Sequence, residues 1–431
     1  MSATVSIMIL LASFVILILL RFPIAMVLAL SSLLTAFTLD LPLAVIGQRM
    51  VQGLNSYSLL AIPFFILAGQ IMSEGKLAMR LVNLAQLLVG AVRGGLALVN
   101  CVACMLFGNI SGSAAADASS VGSVLIPSMK RKKYDADFSV AVTSAAAIQG
   151  VVMPPSHNMI LYALAAGGVS ISSLFLAGIM PCLILLASLL ITTYFIAKKR
   201  GYPKGEPVKL KEVPKIIADG FLSMFTAVII LGGIFSGWFT ATESGAIACV
   251  YAFILTFFVY RDLPLKHVKV IFLKTFRTVS MVLFLIAASN AFAWVLTYLK
   301  IPALITDGLL SISDNPVMIL LIINILLLIL GAPLDMGPLI LIMTPILYPV
   351  VTSLGMDPVH FGIVLILNLG IGLITPPVGT VLFVGCAIGK VSIEAATKRL
   401  IPYFLVMVAV LMVITYVPQI SLWLPNLVNG S

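Results

Sequence analysis

The chain has 431 residues, of which 61% are hydrophobic and only 9% charged, and its formal net charge is +10. This composition is too apolar for an ordinary soluble domain and predicts an all-α protein that crosses a membrane many times. The basic residues lie in short loops between apolar stretches, so the charge indicates membrane topology rather than nucleic-acid binding.

The first apolar stretch, residues 4–20, has no basic residue before it, and Arg21 stands where a signal peptide would have a small-residue cleavage site. We therefore expect this stretch to remain as a membrane anchor. Further spans are predicted near residues 22–39, 57–73, 138–164, 173–197, 221–237, 243–260, 278–297, 361–386 and 393–418.

Two segments combine apolar stripes with charges at helical spacing, namely Lys76–Arg93 and Arg261–Arg277. We interpret both as helices that lie along the cytoplasmic surface of the membrane. Ordinary extended loops are the alternative.

Two apolar stretches, residues 94–129 and 316–351, are each interrupted near the middle by small or helix-breaking residues. The interruptions are GNISGSAAAD at 108–117 and GAPLDMGP at 331–338. Each half is too short to span a bilayer comfortably, which favours a re-entrant hairpin of two half-helices. The spans 138–164 and 361–386 contain breaks at Gly150–Pro154 and Gly372–Pro376, and we interpret them as broken helices.

The two halves of the chain repeat each other. MPPSHN at 153–158 matches TPPVGT at 375–380, and VSIS at 169 matches VSIE at 391 with the same offset, which predicts a duplication. KRKK follows the first hairpin, whereas no Lys or Arg follows the second within residues 352–360, so the copies should be inverted. The predicted repeats, each with its scaffold helices, are residues 1–220 and 221–431. This topology leaves Arg49 and Lys300 outside the cytoplasm and both termini periplasmic.

The hairpin tips and helix breaks supply hydroxyl, amide and carbonyl oxygens, the ligands that a hard cation such as Na⁺ requires. We expect one sodium site per repeat, and simple helix packing by small residues is the alternative for each residue alone. The predicted sodium ligands are Asn109, Ser111, Gly112, Ser113, Gly150, Met153, Gly331, Asp335, Gly337, Gly372, Thr375 and Thr380.

Three acidic residues lie at predicted membrane depth. Asp335 is expected both to bind sodium and to cap the half-helix that follows it. Asp117 is expected to cap a helix rather than to contact substrate. Glu243 is expected to begin a helix.

The segment PPSHN places polar side chains at a helix break where the second repeat has only VGT. His157 either faces a substrate or makes a local hydrogen bond. No arginine lies at this depth, so an anionic substrate would be held by half-helix N-termini, hydroxyl groups and sodium. The predicted substrate contacts are Ser113, Pro155, Ser156, His157, Asn158, Asp335, Asn368 and Pro377.

The sequence contains no HExxH, GxGD or GxSxG motif, which argues against an enzyme. GCAIGKV at 385–391 lacks the spacing and the hydroxyl residue of a phosphate-binding loop, so ATP is not the expected energy source. The five cysteines lie in apolar segments, and Cys101 and Cys104 would share a helix face, which favours packing over metal or redox chemistry.

The sequence resembles the large membrane subunit of tripartite ATP-independent periplasmic (TRAP) transporters. The resemblance covers nearly the whole chain in order. Its segments are SLLAIPFFILAGQIM at 58–72, SGSAAADASSVGSVLIPSM at 111–129, MPPS at 153–156, SLFLAGIMP at 173–181, FTATESGA at 239–246 and LILNLGIGLITPPVGTVLFV at 365–384.

The resemblance implies a sodium-driven elevator transporter of the inner membrane, with a fold like that of divalent anion/sodium symporters. It implies two partners, a small four-helix membrane subunit and a periplasmic substrate-binding protein that delivers an organic anion. By position, it puts Ser111–Ser113 and Gly331–Gly337 at the hairpin tips.

Two departures bear on the ligand. Gly337 stands where a threonine is expected in many relatives, and PPSHN is more polar than the family's commoner pattern. The second departure favours a sugar acid such as sialic acid over a simple C4-dicarboxylate. The alternatives are a stand-alone sodium/dicarboxylate symporter and, from another class, a channel or an intramembrane enzyme.

Overall fold

The computed structural model describes residues 3–205, 207–313 and 315–429. Apart from an isolated β-bridge between Arg93 and Lys204, regular structure in these ranges is helical, which confirms the all-α prediction. In a bilayer, helices satisfy their own backbone hydrogen bonds, so long apolar runs adopt this form. The first helices are α1 (Ala3–Leu19), α2 (Ile24–Thr38), α3 (Leu43–Leu54), α4 (Ala61–Glu74) and α5 (Leu77–Val89).

The predicted amphipathic helix after Lys76 is present as α5. The next helices are α6 (Gly95–Ser111), α7 (Ala114–Arg131), α8 (Ala136–Ala147), α9 (Gln149–Val152), α10 (His157–Ala165) and α11 (Ile171–Lys199). Between α6 and α7 the chain turns at Gly112, whose φ of 60° suits glycine. The axis bends by 50° between Ala136–Val152 and His157–Ala165, at the predicted break.

The middle of the chain forms α12 (Val213–Phe235), α13 (Ala241–Ile254), α14 (Val268–Tyr298) and α15 (Ile301–Ile312). The prediction of a separate surface helix over Arg261–Arg277 is wrong, because most of that segment is the beginning of α14. Val268–Tyr298 contains no Gly or Pro to end a helix. Its 31 residues extend about 46 Å, enough to span the bilayer and project beyond it.

The last part of the chain forms α16 (Pro316–Gly331), α17 (Met336–Ser353), α18 (Pro358–Gly372), α19 (Thr380–Gly389), α20 (Ile393–Tyr416) and α21 (Gln419–Asn429). Residues 373–379 separate α18 from α19, as the sequence predicted. The peptide bonds Pro154–Pro155 and Pro376–Pro377, one at each break, are cis.

The helices pack in two groups. The flanking bundle consists of α1–α4 and α12–α14, and α14 packs on α2, α3 and α4. The hairpin bundle consists of α6–α11 and α16–α21, with the broken helices at its centre: Phe138–Ala147 and His360–Gly372 are buried at every residue. Helix α5 contacts both α6 and α12, and α15 contacts both α14 and α17.

Helix length and composition agree with a membrane protein. Among the described residues, seven helices are long and apolar enough to cross a membrane, or eight if the bent pair counts as one span. Large apolar side chains are exposed along them, such as Phe276 (72%) and Phe195 (63%). Exposed apolar surface of this extent is expected where lipid replaces water.

Each interrupted helix pair touches a broken helix through two glycines. A Cβ atom on Gly108 would lie 2.4 Å from the Cα of Gly150, and a Cβ on Gly372 would lie 2.7 Å from the Cα of Gly331. Only glycine permits backbones to approach this closely. These two contacts fix where the tips sit against the helix breaks.

Candidate functional site

A cavity of about 510 Å³ lies between the two interrupted helix pairs and the flanking helices α2 and α14. Its wall from the hairpin bundle includes Ser113, His157 and Asp335, and its wall from the flanking bundle includes Met281 and Leu285. The volume falls within the range of about 300–1,000 Å³ that is typical of small-molecule sites.

Four helices of the hairpin bundle begin at this cavity. Its lining includes Ala114 at the start of α7, His157 at the start of α10, Met336 at the start of α17 and Thr380 at the start of α19. The first N–H groups of a helix have no partner within the helix and carry a partial positive charge. Four such ends around one cavity offer partial positive charge without a Lys or Arg side chain among the described lining residues.

The local sequence explains these helix starts. Ser113 is the N-cap of α7 and accepts a hydrogen bond from the Ala116 amide at 3.4 Å. Gly379 has a φ of 47°, a left-handed conformation that reverses the chain just before α19. Helix α10 begins directly after Pro154–Pro155, and Pro155 disfavours helical backbone at the residue before it.

No Lys or Arg is among the described residues that line the cavity. The neutral polar groups are Ser113, His157, Asn158, Thr278 and Thr380, and Asp335 is the only carboxylate in this lining. A carboxylate beside an anion would repel it unless a cation lay between them.

Asp335 does not cap the following helix. It occupies the N-cap position of α17 but makes no side-chain hydrogen bond to the helix. The predicted capping role is therefore wrong, and the carboxylate stays available at the cavity wall.

The first tip contains a buried hydrogen-bond network. The Ser111 hydroxyl donates to Asp117 Oδ1, and the Ser113 amide donates to the Ser111 hydroxyl at 3.1 Å. Asn158 Nδ2 donates to the Gly112 carbonyl at 3.4 Å, which joins the tip to α10. The predicted capping role of Asp117 is wrong, because Ser113 caps α7. Glu243, by contrast, begins α13 in a capping box with Thr240, as predicted.

Several buried oxygens near the first tip lack a hydrogen-bond partner among the described residues. They are Asn109 Oδ1, Asp117 Oδ2 and Ser156 Oγ. Buried polar atoms in proteins are normally satisfied, so unpaired oxygens of this kind suit a bound cation or water. All three belong to the first tip or to the neighbouring helix break.

The structure separates the predicted residues into those that line the cavity and those behind it. Ser113, His157, Asn158, Asp335, Gly337 and Thr380 line it. Other predicted residues lie behind the cavity. The tips and helix contacts contain Ser111, Gly112, Gly150, Gly331 and Gly372. Met153 is the C-cap of α9, and Pro155 is buried at the first break. The Thr375 hydroxyl donates to the Ile371 carbonyl at 2.9 Å, Pro377 is exposed, and neither lines the cavity.

Asn368, which was predicted to contact substrate, lies away from the cavity lining. Its amide donates to Asn324 Oδ1 at 2.8 Å, and Asn324 donates to Thr415 at 3.3 Å. This network joins α16, α18 and α20.

The flanking wall of the cavity was not predicted. It comes from Pro23–Ala25 at the start of α2 and from Thr278, Met281 and Leu285 on α14. Thr278, Met281 and Leu285 are spaced so that they share one face of a helix. All three lie within the predicted span 278–297, but their spacing alone does not show which helix face the hairpin bundle meets.

Comparison with known proteins identifies the family. Residues 11–420 match the family model for the DctM component of the tripartite ATP-independent periplasmic transporters. The chain belongs to this family. The permease is 45% identical over 428 residues to the uncharacterized protein YgiK of Salmonella typhimurium, covering 99% of this chain and 98% of that one.

Two further relatives have named substrates. The permease is 40% identical to the sialic acid TRAP transporter large permease protein SiaM of Vibrio cholerae, covering 89% of this chain and 90% of that protein. It is 36% identical to the 2,3-diketo-L-gulonate TRAP transporter large permease protein YiaN of Escherichia coli, covering 92% and 94%.

Solved transporter structures share the fold. The YdaH transporter of Alcanivorax borkumensis matches with a TM-score of 0.62 at 14% identity over 88% of each chain. MtrF of Neisseria gonorrhoeae matches with a TM-score of 0.55 at 14% identity, covering 89% of this chain and 84% of that one. These structures show the fold, and the family match makes the chain a multi-span membrane protein of a transporter permease family.

Proposed function

We propose that the permease imports a small organic anion, coupled to sodium, through the cavity between its two helix tips. The observation that supports this most directly is the convergence of four helix N-termini on a cavity without Lys or Arg. Each N-terminus stabilises an anion by about 0.3–1 kcal/mol, and by more where water is excluded. Together they hold a carboxylate without a buried cationic side chain.

Asp335 explains why binding of an anion would be coupled to binding of a cation. Its carboxylate faces the same cavity, so binding of an anion there requires a positive charge near Asp335. Asp335, Ser113 and Thr380 on the cavity wall, with Asn109 and Asp117 behind the first tip, supply oxygen atoms suited to sodium. A bound sodium ion would supply the positive charge that makes anion binding dependent on sodium.

The two halves of the chain form the proposed inverted repeats, residues 1–220 and 221–431. Matching contacts support this assignment: the Gly108–Gly150 approach has its counterpart at Gly331–Gly372. Likewise Asn100 donates to Thr143 at 2.6 Å between α6 and α8, as Asn368 bonds Asn324 between α18 and α16.

The hairpin bundle would carry the site past the flanking bundle, as an elevator. A crevice of about 690 Å³ supports this motion, because it separates Leu164 and Leu341 of the hairpin bundle from Gln52 and Asn290 of the flanking bundle. The two bundles are thus not packed tightly along their whole boundary, which leaves space for sliding. Both termini would be periplasmic in this topology.

The proposed substrate is a C4-dicarboxylate or a sugar acid such as sialic acid. His157 and Asn158 add hydrogen-bonding groups to the cavity, which favours a polyhydroxylated acid. Relatives are named for sialic acid and for 2,3-diketo-L-gulonate.

The proposed partners follow from membership of the family. A periplasmic binding protein would deliver the substrate, and a small membrane subunit would join the permease in the bacterial inner membrane. Exposed apolar residues of the flanking bundle, such as Phe225 and Val250, offer surface for lipid or for that subunit.

The deciding test is uptake of labelled sialic acid and of a labelled C4-dicarboxylate into proteoliposomes that contain the permease and its small subunit. We expect uptake only with both an inward sodium gradient and the binding protein. Uptake with sodium alone would identify a stand-alone symporter. Sustained current without saturation would identify a channel and contradict the proposal.

A further inference from the structure

A second cavity, of about 460 Å³, lies on the outer side of the hairpin bundle between the end of α11 and the beginning of α20. Its lining contains Lys199 and Arg200 from α11 and Lys398 and Arg399 from α20. Four cationic side chains thus surround one cavity, where α11 ends and α20, which packs against it, begins.

The positive charge of this cavity is only partly neutralised. Arg200 Nη1 contacts Asp135 Oδ2 at 2.9 Å, and Arg399 Nε contacts Asp137 Oδ2 at 2.7 Å. Lys199 and Lys398 make no ion pair with a described carboxylate and are exposed. Two positive charges therefore remain for an external anion, and the two arginines are held in place for further N–H contacts.

The cavity has an apolar floor of Phe138, Ile196 and Pro402. An apolar floor beneath a cationic rim suits an amphiphile better than a free inorganic anion, which gains nothing from apolar contact.

Apolar stripes lead from each lysine into the membrane. On α11, Phe195 and Ile191 lie one and two turns before Lys199 and are 63% and 58% exposed. On α20, Ile401 and Leu405 lie one and two turns after Lys398 and are 51% and 62% exposed. Residues at this spacing share one helix face, so each stripe continues directly from its lysine.

We propose that this cavity binds the headgroup of an anionic phospholipid, with the phosphate between the four cationic side chains and the acyl chains along the two apolar stripes. The lysines supply net charge, the arginines supply oriented N–H donors, and the stripes supply contact for hydrocarbon. The site lies in the hairpin bundle and is separate from the cavity between the tips.

The test is native mass spectrometry of the purified full chain with phosphatidylglycerol and phosphatidylcholine offered together. We expect the wild type to retain phosphatidylglycerol in preference to phosphatidylcholine. The variant Lys199→Gln/Lys398→Gln should lower that preference about 30-fold, since each lysine contributes about fivefold near an anionic lipid.

Matched variants distinguish the effect of charge at this cavity from the effect of positive charge elsewhere on the protein. Lys209→Gln/Lys211→Gln removes the same charge from exposed positions in a loop and should keep the wild-type preference. The variant Lys199→Arg/Lys398→Arg retains both positive charges and should also keep the wild-type preference for phosphatidylglycerol. An unchanged preference in Lys199→Gln/Lys398→Gln would overturn the proposal. Displacement of the lipid by excess inorganic phosphate would overturn it as well, because the site would then bind phosphate itself.

Discussion

Asp117 and Asp335 lie one in each interrupted helix pair, but their surroundings differ. Asp117 is fully buried and accepts a hydrogen bond from Ser111, whereas Asp335 makes no capping bond and faces the cavity. The bond to Ser111 lets Asp117 contribute to the fold in addition to offering the unpaired oxygen proposed for sodium, whereas the carboxylate of Asp335 makes no such bond and is available for a ligand alone. The two residues should therefore respond differently to substitution.

For Asp335, we expect Asp335→Asn to raise the sodium concentration for half-maximal uptake about tenfold or more, because interactions with a charged group contribute about 1.5–3 kcal/mol. Thermal unfolding should change little, since the carboxylate makes no capping bond. Sodium titration of uptake in proteoliposomes measures the effect. Asp307→Asn, at an exposed position on α15, is the matched control. Equal sodium dependence in both variants would remove Asp335 from the sodium site.

For Asp117, we expect Asp117→Ala to lower the free energy of unfolding by about 1–3 kcal/mol, because a fully buried side chain that accepts a hydrogen bond from the half-buried Ser111 hydroxyl is removed. Thermal unfolding of the purified protein in detergent measures the change as a lower Tm. Ser119→Ala, at an exposed position on the same helix, should leave Tm unchanged. A stable Asp117→Ala variant would contradict the structural role.

The sequence could predict which residues of the tips are polar, but not which oxygen each one engages. Ser113, His157 and Asp335 were predicted at the site, and all three line the cavity. Asn368 was also predicted to contact substrate, yet it lies outside the cavity lining and bonds Asn324. Side-chain partners of this kind depend on how α16 packs on α18, which local sequence does not specify.

At the scale of helices, the glycine contacts between tips and broken helices set the geometry of the site. A Cβ atom at position 372 would lie 2.7 Å from Gly331 backbone atoms, and backbone cannot move aside as a side chain can. The cavity lies where these contacts bring four helix starts together.

We expect Gly372→Ala to destabilise the protein by about 1–3 kcal/mol, because it overpacks this contact. Gly308→Ala is the control, and its expected effect on stability has the opposite sign. Nothing lies within 4 Å of the Cβ position at residue 308, and alanine stabilises a helix by about 0.5–1 kcal/mol relative to glycine. Thermal unfolding of the two variants should therefore shift Tm in opposite directions. A shift in the same direction would show that the 331–372 contact is looser than described.

Helix α5 is fastened to the flanking bundle by an ion pair outside the membrane spans. Arg80 donates two hydrogen bonds to Asp262, at 2.6 and 3.0 Å, and its guanidinium lies 3.5 Å from the centroid of the Tyr260 ring. Burial raises the pKa of Asp262, but hydrogen bonds from Arg80 and the Lys76 amide outweigh burial and leave that pKa below its ordinary value.

The direction of this pKa shift predicts a pH dependence. A lowered pKa in the folded state means that Asp262 stabilises the fold above the ordinary pKa of about 3.9 and loses this contribution as pH falls through the folded value. We expect Asp262→Asn to lower Tm at neutral pH, with the difference from wild type vanishing well below pH 4. Thermal unfolding across pH measures it, and a difference that persisted in acid would implicate packing instead.

Element boundaries followed from the sequence wherever glycine or proline interrupts an apolar run. The breaks at 112–113 and 332–335 lie within the predicted clusters, whereas the breaks at 153–156 and 373–379 overlap the predicted Gly150–Pro154 and Gly372–Pro376 and extend two and three residues beyond them. The prediction failed at α14, where Lys274 and Arg277 were taken to lie outside the spanning helix, and it missed the short helices α3, α15 and α21. Lys274 instead lies on α14 itself and pairs with Glu74 at the end of α4, so a charged residue did not mark the boundary of the helix.

At the scale of the whole molecule, composition and internal repetition sufficed to predict a multi-span, all-helical transporter. What they could not provide is the boundary between the two bundles. That boundary depends on α14, whose residues Thr278–Leu285 form one wall of the cavity. A motion of the hairpin bundle must therefore change the contacts between the second tip and α14.

A cross-link tests the proposed motion. A Cβ atom at Gly337 would lie 4.0 Å from Leu285 Cδ2, so Gly337→Cys/Leu285→Cys places a thiol on each bundle within reach of a short bifunctional reagent. We expect cross-linking to abolish uptake, because the tip can no longer slide along α14, and reduction of a cleavable reagent should restore it. The native cysteines are buried and should not compete.

The matched control joins two helices of the same bundle. A Cβ atom at Gly245 would lie 3.1 Å from the Phe64 Cβ, so Phe64→Cys/Gly245→Cys links α13 to α4. Cross-linking of this pair should leave uptake at the level of the untreated variant, because both helices belong to the flanking bundle. If quantitative cross-linking between positions 337 and 285 also left uptake intact, the two bundles would not move past each other at α14. Transport would then require only local opening of the tips.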